Sequence, residues 1–352
     1  MSNPPSTKPA PPRLGNTMPV NPEWVAKRQE PALEPELPIV DPHHHLWDRP
    51  DGSLYLLPDL VADVASGHNV EATVYIDCRS MYRAEGPVEL RPVGETEFAN
   101  GAAAMSASGR YGPMRACAGI VSYADLRLGE RVRSVLEEQI EAGNGRFRGI
   151  RYATGWDENE EIRRTHTNPP RGLMQDATWR AGFAQLGLLG LTFDAWLYHP
   201  QIGELAALAA TFPDTTIILD HIGGPLGYGP YAGRHDEAFL DWKNAMAALS
   251  RHSNVAVKLG GLGMPMGWFS FFEQPAPPSS EMLAAAWKPW IETCIELFGA
   301  HRCMFESNFP VDKLSCGYGV LWNAFKRLTA NASVTEKTAL YSATARLVYS
   351  LA

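Results

Sequence analysis

Three consecutive histidines, His43-His44-His45, follow the apolar run Leu37-Pro38-Ile39-Val40 and precede Leu46-Trp47-Asp48. Side chains two apart along a strand share a face. If the run is a strand, His43 and His45 project together from its C-terminal end, while Pro42 and His44 face the other way. Two neutral imidazoles aimed at one point make a metal or acid–base site. The plain alternative is a solvated polar patch, but apolar residues on both flanks argue against it. His44 is then a bystander on the outer face.

The elements that must position these groups are short apolar runs alternating with helical patterns. Strands are expected at 37–41, 72–77, 115–122, 147–152, 191–195, 216–220, 255–259 and 302–306, and helices at 129–141, 177–187, 201–211, 239–250, 282–298 and 335–349. Alternation of this kind gives right-handed βαβ units and a parallel sheet. Ile217-Ile218-Leu219 lacks any polar alternation, as expected for a strand covered on both faces. Eight such units suit a closed (β/α)8 barrel, and no strand is followed by the GxGxxG of an open dinucleotide-binding sheet. In such a barrel, chemistry sits at the C-terminal ends of the strands. The polar residues there are His43 and His45, Asp77 and Arg79, Arg148 and Arg151, Asp194 and His199, Asp220-His221, and Glu306-Ser307-Asn308.

The chain has 352 residues, 45% of them hydrophobic, enough for a sizeable core, and a formal net charge of −8. No basic run exceeds Arg163-Arg164, which argues against a nucleic-acid or anionic-membrane partner and leaves a small molecule as the expected one. The sequence leaves homo-oligomerisation open. Five cysteines without a CxxC pair suggest neither a disulfide framework nor a thiolate zinc site. With no apolar leader and no span-length apolar stretch, the expectation is a soluble, cytoplasmic protein. Prolines at positions 4, 5, 9, 11, 12, 19, 22, 31 and 35 mark residues 1–36 as an N-terminal extension ahead of a barrel over 37–352. About the first twenty residues are expected to be disordered, while Trp24 can dock on the body.

Several motifs, taken in order over residues 37–352, are similar to the amidohydrolase-related family of TIM-barrel hydrolases. They are Asp41-x-His43-x-His45-Leu46-Trp47-Asp48, Arg148-Gly149-Ile150-Arg151, Leu219-Asp220-His221-Ile222-Gly223-Gly224-Pro225, Val257-Lys258-Leu259 and Ser307-Asn308-Phe309-Pro310. The branch it resembles includes lactonases acting on sugar lactones and on 2-pyrone-4,6-dicarboxylate. The resemblance therefore implies a barrel fold and hydrolysis of a cyclic ester, with His43, His45 and His221 as active-site histidines and the arginines of the fourth strand at carboxylate-holding positions. One departure stands out. The family's last strand usually ends in Ser-Asp-Trp-Pro, whereas this chain has Asn308, and an amide cannot act as a general base. Proton transfer must then pass to Asp312, Glu306 or His221.

Lactone hydrolysis needs a polarised carbonyl, an activated water and an oxyanion partner. One divalent ion, zinc first among candidates, held by His43, His45 and His199 or His221 would supply the first two. Without metal, the histidines would bind the carbonyl directly and an arginine would take the oxyanion charge. Arg79, Arg148 and Arg151 are candidate carboxylate readers, Tyr82 adds an aromatic group beside them, and Arg83 fits a surface ion pair better. Trp268 lies in the aromatic segment 260–280, which reads either as an apolar lid or as a loop packed on the rim. A metal-assisted decarboxylase of an aromatic or enoic acid and a non-catalytic binding barrel are the competing functions.

Overall fold

In a computed structural model describing residues 20–351, eight parallel strands run in sequence order around one sheet. They are β1 (Ile39–His44), β2 (Val70–Ile76), β3 (Arg115–Ser122), β4 (Phe147–Ala153), β5 (Thr192–Trp196), β6 (Ile217–Leu219), β7 (Val255–Leu259) and β8 (Cys303–Phe305). The first and last strands close the ring: Asn308 N donates to His43 O at 2.9 Å and His45 N to Phe309 O at 2.8 Å. The fold is thus the expected (β/α)8 barrel. β3 and β7 have the expected bounds, while the others differ by a few residues; β1, for example, starts two residues late and runs on through His44.

Two-residue periodicity explains how the barrel is filled. In β6, Ile217 and Leu219 pack outward against the helices, and Ile218 packs inward with Val40, Val74, Ile76, Val121, Ala256 and Met304. One step further along the same inward rows stand polar groups: Asp220 after Ile218, Lys258 after Ala256 and Glu306 after Met304. An apolar floor therefore carries a polar layer at the C-terminal end, the layered filling of a TIM barrel with its upper layer given over to chemistry. Helices Val132–Ala142, Ala177–Leu188, Ile202–Thr211, His235–Leu249 and Ser280–Phe298 cover the outside, sealed by the buried Trp179, Trp242, Trp287, Trp290 and Trp322. Burying indoles of this size contributes about 1.5–3 kcal/mol or more each.

Several helical regions depart from the sequence expectation, the unexpected helices Leu57–Val64 and Tyr318–Leu328 among them. Helix Val93–Ala107 is not marked by an apolar stripe, because apart from Val93 its buried face is built from Gly94, Glu95, Thr96, Ala99, Ala102, Ala103 and Ser106. The expected helix 335–349 is instead Val334–Thr338, a π-helical turn Ala339–Ala343 and Thr344–Val348. The extra residue in that turn lets Tyr341 face the outer core while Ala345 and Tyr349 plug the barrel floor.

Residues 20–36 strap the barrel. A short helix, Pro22–Ala26, is capped by Asn21, Trp24 Nε1 donates to Gln274 O at 2.8 Å, and Lys326 Nζ donates to Leu33 O and Glu34 O at 2.8 Å each. The disorder expected of the extension falls mainly on residues 1–19, which lie outside the described residues. Among the described residues, no helix is long and apolar enough to cross a membrane.

Candidate active site

β1 ends on the histidine triplet. None of the three is solvated: His43 and His44 are fully buried and His45 is 3% exposed. His44 lies outside the barrel but under its helices, with Nε2 at 2.8 Å from Thr73 Oγ1, so it is a buried packing residue and not a surface bystander. His45 Nδ1 sits 2.8 Å from Ile76 O, which can only accept; the ring proton is therefore on Nδ1 and Nε2 carries the lone pair. The His43 ring lies 5.0 Å from that of His45 and 4.5 Å from that of His221.

Glu306 organises this cluster. Its Oε2 is 2.8 Å from His43 Nδ1, and its Oε1 is 2.6 Å from His221 Nδ1 and accepts His221 N at 3.1 Å. His221 thus donates Nδ1–H to this carboxylate and presents Nε2, the arrangement by which a buried acid fixes tautomer and ring plane, while Oε2 meets His43 as a close charge without a hydrogen bond. Room for Glu306 comes from Gly260, where a side chain would collide with Glu306 Cγ. Gly261, at φ +69°, passes so close that a Cβ would lie 2.5 Å from His221 Cβ. The β6 exit is strained as well: His221 and the β-branched Ile222 have φ of 55° and 50°, left-handed values that cost about 1–3 kcal/mol each. The Glu306 contact to His221 N and a 2.7 Å bond from Trp242 Nε1 to Ile222 O hold that turn.

Lys258 stands below the histidines, fully buried. Its Nζ lies 2.6 Å from Asp194 Oδ2, 3.0 Å from Asp220 Oδ1 and 3.2 Å from His43 Nδ1. Lys258 gives a proton to Asp194 Oδ2 and lies at hydrogen-bond distance from His43 Nδ1, while Asp220 Oδ1 meets it as a charge. Burial alone would push the ammonium pKa down; Asp194, Asp220 and Glu306 more than offset this and raise it. Burial and the Lys258 charge together hold His43 well below the usual imidazole range, so it stays neutral. Arg151 completes the layer, with Nε 3.2 Å from Asp77 Oδ1 and Nη1 3.5 Å from His43 Nε2.

Asn308, at φ 53°, donates Nδ2–H to Asp312 Oδ1 at 3.0 Å, which fixes its amide orientation. Asp312 Oδ2 accepts Gly263 N at 3.1 Å, and burial pushes this carboxyl up to about 7.

The remaining expected residues lie farther out. Arg79 is at the exposed rim with Nη1 3.2 Å from His166 O, and Tyr82 is half-buried over Asp77 and Glu95. His199 is not brought into the cluster: its Nδ1 accepts Leu226 N at 3.2 Å and its ring packs on Tyr231. Trp268 packs edge-on to His235, 5.0 Å between rings, within a loop whose Met264 and Met266 are buried against Ile162, Tyr198 and Leu226. The segment 260–280 is thus a packed rim loop. Arg148 is the plainest correction. As the second residue of β4 it lies at the N-terminal end of the barrel, with Nη1 on Gly145 O and Phe147 O, beside an open cavity of about 1020 Å³ lined also by Ser250, Asn254 and Arg302. Arg148→Ala should leave kcat/KM within about twofold of wild type, and a larger loss in steady-state kinetics would contradict this placement. Arg83 forms the surface pair expected of it, with Glu97.

Lys258, Asp194, Asp220 and Glu306 carry the site's charge. The inward row could have revealed them: each follows at one or two steps an apolar residue in the middle of a buried strand.

Comparison with known proteins matches this architecture. The family model described as amidohydrolase aligns with residues 40–351. The chain belongs to the amidohydrolase family. An uncharacterised protein of Sinorhizobium fredii is 34% identical over 336 residues, which is 89% of this chain and 99% of that protein. The L-fucono-1,5-lactonase of Burkholderia multivorans is 27% identical over 240 residues, 66% of this chain and 72% of its own length. A crystal structure of a Burkholderia multivorans amidohydrolase with bound zinc has the same fold, with a TM-score of 0.67, 22% identity and coverage of 89% and 99%.

The residues of this amidohydrolase suit a divalent cation. His43, Asp220 and His221 each offer a ligand atom within 4.8 Å of the others. Both Asp220 oxygens are buried without a hydrogen-bond partner, Oδ1 meeting only the Lys258 charge. Counted as ionised, Asp77, Asp194, Asp220 and Glu306 set four negative charges against Arg151 and Lys258, an excess of two that a divalent ion would neutralise. The set differs from the expected one in that Asp220 replaces His199 and His45 stands beside the group.

Proposed function

We propose that this amidohydrolase hydrolyses a small lactone at the His43–His221–Glu306 cluster. The observation that carries the reading is Glu306 holding the His221 imidazole by Nδ1, since this leaves His221 Nε2 as the proton acceptor that Asn308 cannot be. A divalent cation, zinc foremost, would be held by His43 and Asp220, which leaves His221 Nε2 its lone pair for the reaction, and would supply Lewis acidity toward the carbonyl and acidify water.

The chain's own groups perform the proton transfers. His221 Nε2 takes a proton from water as its oxygen adds to the lactone carbonyl carbon, and Glu306 stabilises the resulting imidazolium. Lys258 and Arg151 set positive charge toward the tetrahedral oxyanion, and the neutral, buried His43 gives that oxyanion an apolar, water-poor wall. As the ring C–O bond breaks, His221 returns its proton to the leaving alkoxide, and a hydroxy acid is released. Asn308, oriented by Asp312, aligns the water. Arg79 at the rim is the remaining cation for a carboxylated substrate.

The L-fucono-1,5-lactonase relative favours a sugar lactone as substrate. A pH-indicator screen of sugar, aliphatic and aromatic lactones tests the reading, with metal content measured in protein purified without tag or chelator. One divalent ion per chain and acid release from at least one lactone, abolished by chelation and restored by zinc, are the expected results. Carbon dioxide release from an aromatic acid, with no lactone opened, would replace this reading by the decarboxylase one.

A further inference from the structure

We propose that Tyr349 and Asp194 are positioning residues, which hold the Lys258 ammonium against His43 and Asp220 from the floor of the barrel, so that the C-terminal segment completes the active site. The role assigned to Lys258 rests on the hydrolytic reading above. The coupling itself rests on geometry alone.

The contacts form one continuous column. Tyr349 follows the last helical turn, Thr344–Val348, and enters the barrel among Val40, Ile218, Ala256 and Met304. Its hydroxyl donates to Asp194 Oδ2 at 2.6 Å, the oxygen that also accepts from Lys258 Nζ at 2.6 Å, and its ring centroid lies 5.4 Å from that ammonium. Lys258 then reaches Asp220 Oδ1 at 3.0 Å and His43 Nδ1 at 3.2 Å. Tyr349, Asp194, Lys258, Asp220 and His43 all lie fully out of solvent.

A purely structural ion pair is a poor explanation of this column. Burying a charged pair gains little over apolar packing, and the inward row below Lys258 is apolar throughout. The lysine stem is also long and flexible, and its head faces two acids and an imidazole. Without a fixed partner below, the head would move toward Asp220 and Glu306 and change the field at His43. Asp194 supplies that partner, and Tyr349 fixes the rotamer of Asp194 by occupying the same oxygen. Outer contacts of this type are worth roughly 10–100-fold when removed.

The test uses Tyr349→Phe, which removes one oxygen and keeps the ring, alongside Asp194→Asn and the double variant. Tyr349→Phe is expected to keep the wild-type unfolding midpoint and a KM within about twofold, while kcat falls about tenfold. In protein with 15N-labelled histidine and no substrate, the His43 ring resonances, assigned from a His43→Gln spectrum, should be displaced while those of His252 stay in place. The double variant should lose no more activity than Asp194→Asn alone, because both residues act through one ammonium. Unmoved His43 resonances in Tyr349→Phe, or losses that multiply in the double variant, would overturn the proposal. If no lactone is turned over by the wild type, the resonances still decide: displacement keeps the coupling while the lactonase reading fails.

Discussion

Glu306→Gln should lower kcat by about a hundredfold or more while the protein folds and unfolds as the wild type does. Its Oε1 accepts two hydrogen bonds, from His221 Nδ1 and His221 N, and its Oε2 lies 2.8 Å from His43 Nδ1. Glutamine has the same shape but only one accepting oxygen. Its amide nitrogen must face one of the two rings and can only donate. That ring then has to accept at Nδ1 and carry its proton on Nε2, which removes the lone pair from the reacting side. If the glutamine oxygen remains on His221, the negative charge that steadies the imidazolium is still lost; if it turns, His221 loses its function as base. Steady-state kinetics with circular dichroism checks this. Activity within tenfold of wild type would mean that the His221 tautomer does not matter and that the acceptor lies elsewhere.

Lys258→Met should destabilise the fold by about 3–5 kcal/mol, read as a shift in the urea midpoint. The methionine fits the space, so the loss is electrostatic: Asp194 and Asp220 would face each other fully buried with their shared cation gone. Burial already raises the Asp194 pKa to about 6 with the ammonium in place, and without it the carboxyl would take up a proton to fold. Lys258→Met with Asp194→Asn should recover part of the loss by removing one of the stranded charges. A single variant as stable as wild type would show that the interior tolerates the unpaired aspartates, through a bound cation or water.

Much of the barrel is legible in the chain because its strands are covered on both faces and read as unbroken apolar runs, Ile217-Ile218-Leu219 above all. Helices are harder. Val93–Ala107 buries alanine, glycine and serine, small residues that pack closely without an apolar stripe, so periodicity does not find it. Within the site, His43, His45 and His221 are legible because imidazoles at strand ends have few other uses. Arg148 and Arg151 are three apart, and three steps along a strand span roughly 10 Å, enough to place Arg148 at the wrong end of the barrel. Glu306 and Lys258 stand in plain sight beside recognisable motifs. Their importance follows from closure of the ring, which brings β6, β7, β8 and β1 together, and no single segment of sequence carries that information.

The most direct measurement is proton release in a pH-stat from a sugar 1,5-lactone, run side by side with wild-type protein and Glu306→Gln. One equivalent of acid per lactone opened by the wild type, at a rate at least about a hundredfold above the variant, is the expected result. Equal rates for the two proteins, or no acid from the wild type across the lactone panel, would contradict a hydrolytic site built on the Glu306-held His221.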